Sequence, residues 1–223
     1  MAFKLKKDNA GVIISLISLA TSAVTTYLAY QIGSDQVKAA KIQFSPIFTF
    51  RKEYEKYEGR EVYKTEYLSI ENEGYPILNF DVSLDTILTL TITDYEERKN
   101  SKIIYFPTDY FLGKSSSSGG KGRLAFYIGN ENLSLDNKMR QQISAYNQQN
   151  YQKIINYSTN TLIKINYTDA SEEQKIKYFI DQKSVNKDQY ELIHSRIEGI
   201  PEIRMEQFNL QSLISPTTKQ GRN

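Results

Sequence analysis

From Asn9 to Ser34 the chain carries no charged side chain, and this apolar run lies behind the basic stretch MAFKLKK and Asp8. A helix needs about 20 mostly apolar residues to cross roughly 30 Å of hydrocarbon, so the run is long enough to span a bilayer even when tilted. The sequence therefore divides into a basic tail over 1–9, a transmembrane helix over 10–33, a stalk over 34–43, a folded domain over 44–212 and a polar tail over 213–223. A cleaved signal peptide is the competing account, with small residues at Thr21 and Ala23. Its apolar region would cover only about 7–15 residues, and here the run continues well past Ala23.

Within the span, Gly11, Ser15, Ser18, Ser22, Thr25 and Ala29 recur at steps of four and three, which places them on one stripe of a helix. Small residues let two helices approach closely in lipid, where apolar contact alone gives little preference. The stripe is thus a candidate packing seam, for a second copy of the chain or for another membrane helix. The competing reading is that its hydroxyls bond back to their own helix carbonyls. Tyr27 and Tyr30 mark the far interface. Lys4, Lys6 and Lys7 before the span outnumber Lys38 and Lys41 after it, which favours a cytoplasmic N-terminus and an extracytoplasmic domain.

Beyond the span, roughly 190 residues remain, the size of one β-rich domain. The chain has 28 basic and 26 acidic residues, so no large field of one sign exists for a nucleic acid to follow. The absence of cysteine excludes disulfides, a thiolate nucleophile and thiolate metal sites. Richness in Lys, Asn, Ile and Tyr is the signature of AT-rich bacterial coding, and a bacterial origin is the working expectation.

The period of the soluble part is two. Phe44, Phe48, Phe50 and Tyr54 share one parity, and a turn near Glu58 and Gly59 leads to a second strand through Val62, Leu68 and Ile70. From Pro76 to Thr93, Leu78, Phe80, Val82, Leu84, Leu88, Leu90 and Ile92 all fall on even positions, interrupted only by Thr86. That length exceeds an ordinary strand, so a bend or bulge is expected at Asp85 and Thr86, carrying the strand from one sheet to another. Further strands are expected over 102–106, 123–128, 161–168 and 174–180. Helices are expected over 136–150 and 187–198, and a closing strand through Ile203, Met205, Phe208 and Leu210. About eight strands with one or two inserted helices predict a mainly β fold, an antiparallel β-sandwich. An immunoglobulin-like topology is its expected form by analogy, without the Cys and Trp landmarks.

The chemistry-bearing patterns are sparse. Gly113-Lys114-Ser115 has Thr108 where a phosphate-binding loop needs its first glycine, and the stretch from Ser115 to Gly122 reads as a flexible hairpin loop. His194 is the sole histidine and has no GxSxG-type nucleophile motif near it, so it reads as a surface or packing residue. Glu96-Glu97, Glu172-Glu173 and Glu71 with Glu73 are pairs of the kind glycoside chemistry uses, but each lies in or beside a turn and reads as solvated surface. No catalytic residue, cofactor or metal ligand is assigned.

The mixed-charge run RKEYEKYEGREVYK interleaves Tyr54, Tyr57, Tyr63 and Tyr67 with charges, a composition suited to contact with a protein or glycan. The expected function is accordingly a membrane-anchored, non-enzymatic binding module for a protein or cell-envelope partner. The alternatives are a cytoplasmic-facing sensor or effector controlling assembly of membrane helices, and a carboxylate-based hydrolase.

Overall fold

The structure, a computed structural model, describes residues 7–96 and 100–214. Most of the basic tail, including Lys4 and Lys6, together with Glu97 and residues 215–223 of the polar tail, lies outside the described residues. The chain forms two compact units that divide between Ser45 and Pro46.

The first unit is one helix, α1 (Lys7–Gln43), with no break between the apolar run and the segment expected as a stalk. Its stretch Gly11–Ala39 is long and apolar enough to cross a membrane. Pro46 follows the helix and holds the chain extended before the first strand, as its fixed φ and missing N–H require.

The second unit is mainly β. Its strands are β1 (Phe48–Lys56), β2 (Tyr63–Asp94), β3 (Asn100–Thr108), β4 (Gly113–Ser116), β5 (Gly120–Ile128), β6 (Lys153–Thr168), β7 (Gln174–Ile180) and β8 (Lys183–Val185). All pair antiparallel. Helix α2 (Asn132–Gln149) lies between β5 and β6, and α3 (Lys187–His194) follows β8.

β2 organises everything else. Its first half pairs with β1 and β5, and its second half with β3 and β6, so a single 32-residue strand belongs to two sheets. The first sheet runs β1-β2-β5-β4 and the second β3-β2-β6-β7-β8. Phe48, Phe50, Leu68, Ile70 and Tyr127 of the first face Val82, Ile163, Ile165 and Phe179 of the second in one apolar core, as in a sandwich. The immunoglobulin-like form is not confirmed, since that topology divides its strands between two separate sheets.

The bend in β2 is earlier than the sequence suggested. Asp85 and Thr86 pair with Leu162 and Thr161 in unbroken register, whereas the register shifts between Asn72 and Ile77 on one side and between Leu78 and Asp81 on the other. Asn79, at φ 50, supplies the change of direction. The fully buried Asn72 holds the inside of the corner: its Oδ1 accepts from Ile47 N and Gly74 N, and its Nδ2 donates to Tyr75 O and Gly120 O. The β4–β5 turn packs against the same corner, with Phe80 N donating to Ser118 O at 2.8 Å. A Cβ on Gly119 would stand 2.4 Å from Ile77 O. The expected flexible loop over 115–122 is therefore a tight hairpin fixed to the bend.

Even positions of β2 beyond the bend face first the sandwich core and then α2, where Leu88, Leu90 and Ile92 meet Met139 and Ile143. Odd positions face α3: Ile87 and Leu162 pack with Tyr190 and Ile197. No closing strand forms after α3. Ile203 makes one parallel bridge to Thr108, Met205–Gln207 form a 3₁₀ turn, and Leu210–Ile214 form a short α4. Met205 and Leu210 cover the end of the α2 core, and a single turn of helix does this where a strand would turn alternate side chains outward.

Candidate functional site

Asn132 sets the position of α2. Its Oδ1 accepts Glu66 N at 2.7 Å, and its Nδ2 donates to Glu66 O and Tyr110 O, each at 3.1 Å. One turn on, Asp136 accepts Arg140 Nε at 2.8 Å and the Tyr157 hydroxyl. Met139 and Ile143 complete the buried face. The opposite face of α2 is polar, and it runs beside the β1–β2 turn.

Two of the four tyrosines expected at a contact surface meet this face. The Tyr57 hydroxyl donates to Ser134 Oγ at 2.7 Å, and Tyr63 stands beside it, about half exposed. With Asn137, Lys138, Arg140 and Gln141 they line a hollow of about 560 Å³. A second hollow, of about 440 Å³, shares Arg140 and Ser144 with the first and continues to Gln148, Asn156 and Tyr157. The Arg140 guanidinium lies 4.9 Å from the Tyr157 ring centroid. Its hydrogen bond with Asp136 pushes the Arg140 pKa up, so it stays a cation.

The other two tyrosines stand apart from the groove. Tyr54 packs on Tyr63 with ring centroids 5.3 Å apart. Tyr67 stacks on Phe126 at 5.5 Å and donates to Glu55 Oε2 at 2.8 Å. Lys64 and then Tyr67 bond the Glu55 carboxyl and hold it below the usual carboxylate range. The tyrosine set is thus divided between a groove and an ion-paired sheet face, where Arg51 meets Glu71 and Glu73, and Arg123 meets Glu53.

His194 stacks on Tyr190 at 5.5 Å and lies in a cleft of about 370 Å³ with Asp85, Phe111 and Ile197. Its Nε2 is 3.9 Å from Asp85 Oδ2, beyond the reach that aligns a catalytic base. Burial pushes the Asp85 carboxyl up. The carboxylate pairs read from sequence are placed as follows. Glu71 and Glu73 both form ion pairs with Arg51, Glu173 pairs with Lys175, and Glu172 occupies a turn at φ 60. Glu96 sits in the turn after β2, and Glu97 is outside the described residues. Among the described residues no group of three His, Asp or Glu is arranged to hold a metal ion.

Along α1, the seam hydroxyls divide. Ser15 Oγ donates to Gly11 O at 2.9 Å and Thr25 Oγ1 to Thr21 O at 2.7 Å, within the helix. Ser18 and Ser22 make no side-chain hydrogen bond among the described residues. Gly11 and Ala29 lie on the same stripe with open space around them.

Sequence reasoning missed Asn132, Asp136, Arg140 and Tyr157. The available signal was the run of amides and cations on the solvent side of α2, which amphipathic patterning treats as unremarkable surface. No protein-family model matches the chain, and no curated protein matches it.

Proposed function

We propose that the protein is a single-pass membrane protein whose β-sandwich unit binds another protein or a component of the cell envelope, without catalysis of its own. The observation that carries this reading is that one chain holds a membrane-length helix, with Leu16, Ile17 and Leu19 exposed along it, and a separate unit bearing a two-part groove. An apolar stretch of membrane length, Gly11–Ala39, joined in sequence to a folded domain serves anchorage; the groove supplies a place to bind. The lysine asymmetry across the span supports an extracytoplasmic domain, and the small-residue seam supports self-association.

The test uses the full chain with a C-terminal tag. It is expected in the membrane fraction after an alkaline wash, with the tag cleaved by external protease in intact cells. Release by the wash overturns the anchor. Protection of the tag until lysis reverses the orientation and turns the search to cytoplasmic partners. Turnover of glycosidic or ester substrates, lost on one carboxylate substitution, overturns the non-enzymatic reading.

A further inference from the structure

The two hollows beside α2 share Arg140 and Ser144, so they follow one another along the helix. From Asn137 to Gln148 the helix rises about 16 Å, a length suited to an extended ligand. Their lining departs from the rest of the chain. The whole sequence balances 28 basic against 26 acidic residues, yet neither hollow is lined by a carboxylate, while Lys138 lines the first and Arg140 lines both. Asp136, the nearest acid on the helix, is committed to Arg140 Nε and the Tyr157 hydroxyl. Lys138 has no ion pair among the described residues, and Arg140 keeps its Nη donors. The local charge is positive.

The remaining side chains select within anionic ligands. Asn137, Gln141, Gln148 and Asn156 are exposed and unbonded among the described residues. An amide offers two donors and an acceptor together, which matches a ligand whose hydroxyls both give and take hydrogen bonds. Tyr57 and Tyr63 flank one hollow and Tyr157 the other; with the Tyr57 and Tyr157 hydroxyls held by Ser134 and Asp136, the rings offer apolar surface to the hollows. Of aliphatic side chains, only Val62 lines the first hollow and only Ile143 and Ile155 the second, too few to anchor a peptide by its apolar residues.

We infer that this double hollow binds an anionic oligosaccharide, its sugar rings against the tyrosines and its acidic groups on Lys138 and Arg140. The assignment rests on the reading of the protein as a binding module and names the ligand class of that module.

Only three of the chain's 17 tyrosines line the hollows, so binding is read by titration calorimetry rather than by tyrosine emission. The full chain in neutral-lipid nanodiscs is titrated with a short oligogalacturonate, with a maltooligosaccharide of equal length and with a polyglutamate peptide. Saturable binding of the oligogalacturonate alone is expected, weakened by added salt. The doubly substituted Lys138→Glu, Gln141→Glu chain, changed only at exposed positions of α2, is expected to bind it at least about tenfold less tightly. Absence of oligogalacturonate binding, or equal binding by the substituted chain, overturns the assignment. Equal or tighter binding of maltooligosaccharide or polyglutamate also overturns it while leaving the binding-module reading standing. Failure of the anchor in the protease and wash experiment affects that reading without touching this titration.

Discussion

A Cβ atom on Gly129 would stand 2.1 Å from Asn132 Nδ2, so the side chain that ties α2 to β2 and to Tyr110 exists only because position 129 has none. Gly129→Ala forces Asn132 out and leaves Glu66 N, Glu66 O and Tyr110 O without their partner. Buried groups left unpaired cost about 1–3 kcal/mol each, and some relaxation is available, so a loss of about 3 kcal/mol is expected for Gly129→Ala and for Asn132→Ala. Chemical denaturation of the detergent-solubilised chain measures both. The double variant should lose little more than either single, because both remove one interaction.

The β7–β8 turn carries the opposite kind of opportunity. Asp181 and Gln182 both have positive φ, at 47° and 69°. Asp181 is retained by its bonds to Thr161 N and Asn160 Nδ2. Gln182 has no such tie, and glycine adopts its conformation without strain. Gln182→Gly is expected to stabilise the chain by about 0.5–1 kcal/mol, read as a rise in the denaturation midpoint at unchanged slope.

Tyr127 is 5% exposed, and its hydroxyl has no hydrogen-bond partner among the described residues. Burial, with Asp81 and Asp85 adding to it, raises its phenol. Removing an unpaired buried hydroxyl while keeping the ring against Phe111 removes a desolvation penalty. Tyr127→Phe is expected to be stabilising by about 1 kcal/mol, against the usual destabilising sign of a core substitution. Thermal melting gives the sign.

The parts of this fold that were legible were those written in period. Val82, Leu84, Leu88, Leu90 and Ile92 announce one face of a long strand, and that face covers the core. The bend was displaced because Thr86 looked like the interruption. The corner is made instead by Asn72 and Asn79, whose roles are hydrogen bonds and backbone angle, invisible to hydropathy. The segment after α3 alternates ambiguously between strand and helix spacing, and its contacts with Met139 and Ile143 decide in favour of a turn and short helix. At the groove, Tyr57 and Tyr63 were legible as exposed aromatics, but Lys138 and Arg140 come from a helix distant in sequence, and only the Tyr57–Ser134 bond reveals the juxtaposition.

The proposed pairing of membrane helices concerns Ser18 and Ser22, whose hydroxyls, unlike those of Ser15 and Thr25, are not spent on their own helix. Replacing both with Leu adds bulk where close approach is required and removes two donors. Crosslinked oligomers in native membranes are expected to fall by about tenfold, while Ile13 and Leu16 replaced together by Ala, on the other face, should leave them unchanged. Equal crosslinking of the serine-substituted chain removes the seam from the proposal.

Buried phenols set the alkaline limit of the fold. Tyr110, Tyr127, Tyr157 and Tyr190 are all raised, chiefly by burial, that of Tyr190 being pushed up to about 12. A phenol raised in the folded state holds its proton more tightly there than in the unfolded chain, so above the unfolded value near 10 the native state binds more protons. Stability is therefore complete below about pH 10 and falls as pH rises through the folded values. Phenolate absorbance should rise in two steps, the later one cooperative and coincident with loss of near-ultraviolet circular dichroism. Tyr190→Phe removes one late phenol and should make the alkaline fall in stability shallower. A single step for all tyrosines near pH 10, with the fold intact, contradicts the burial of these four.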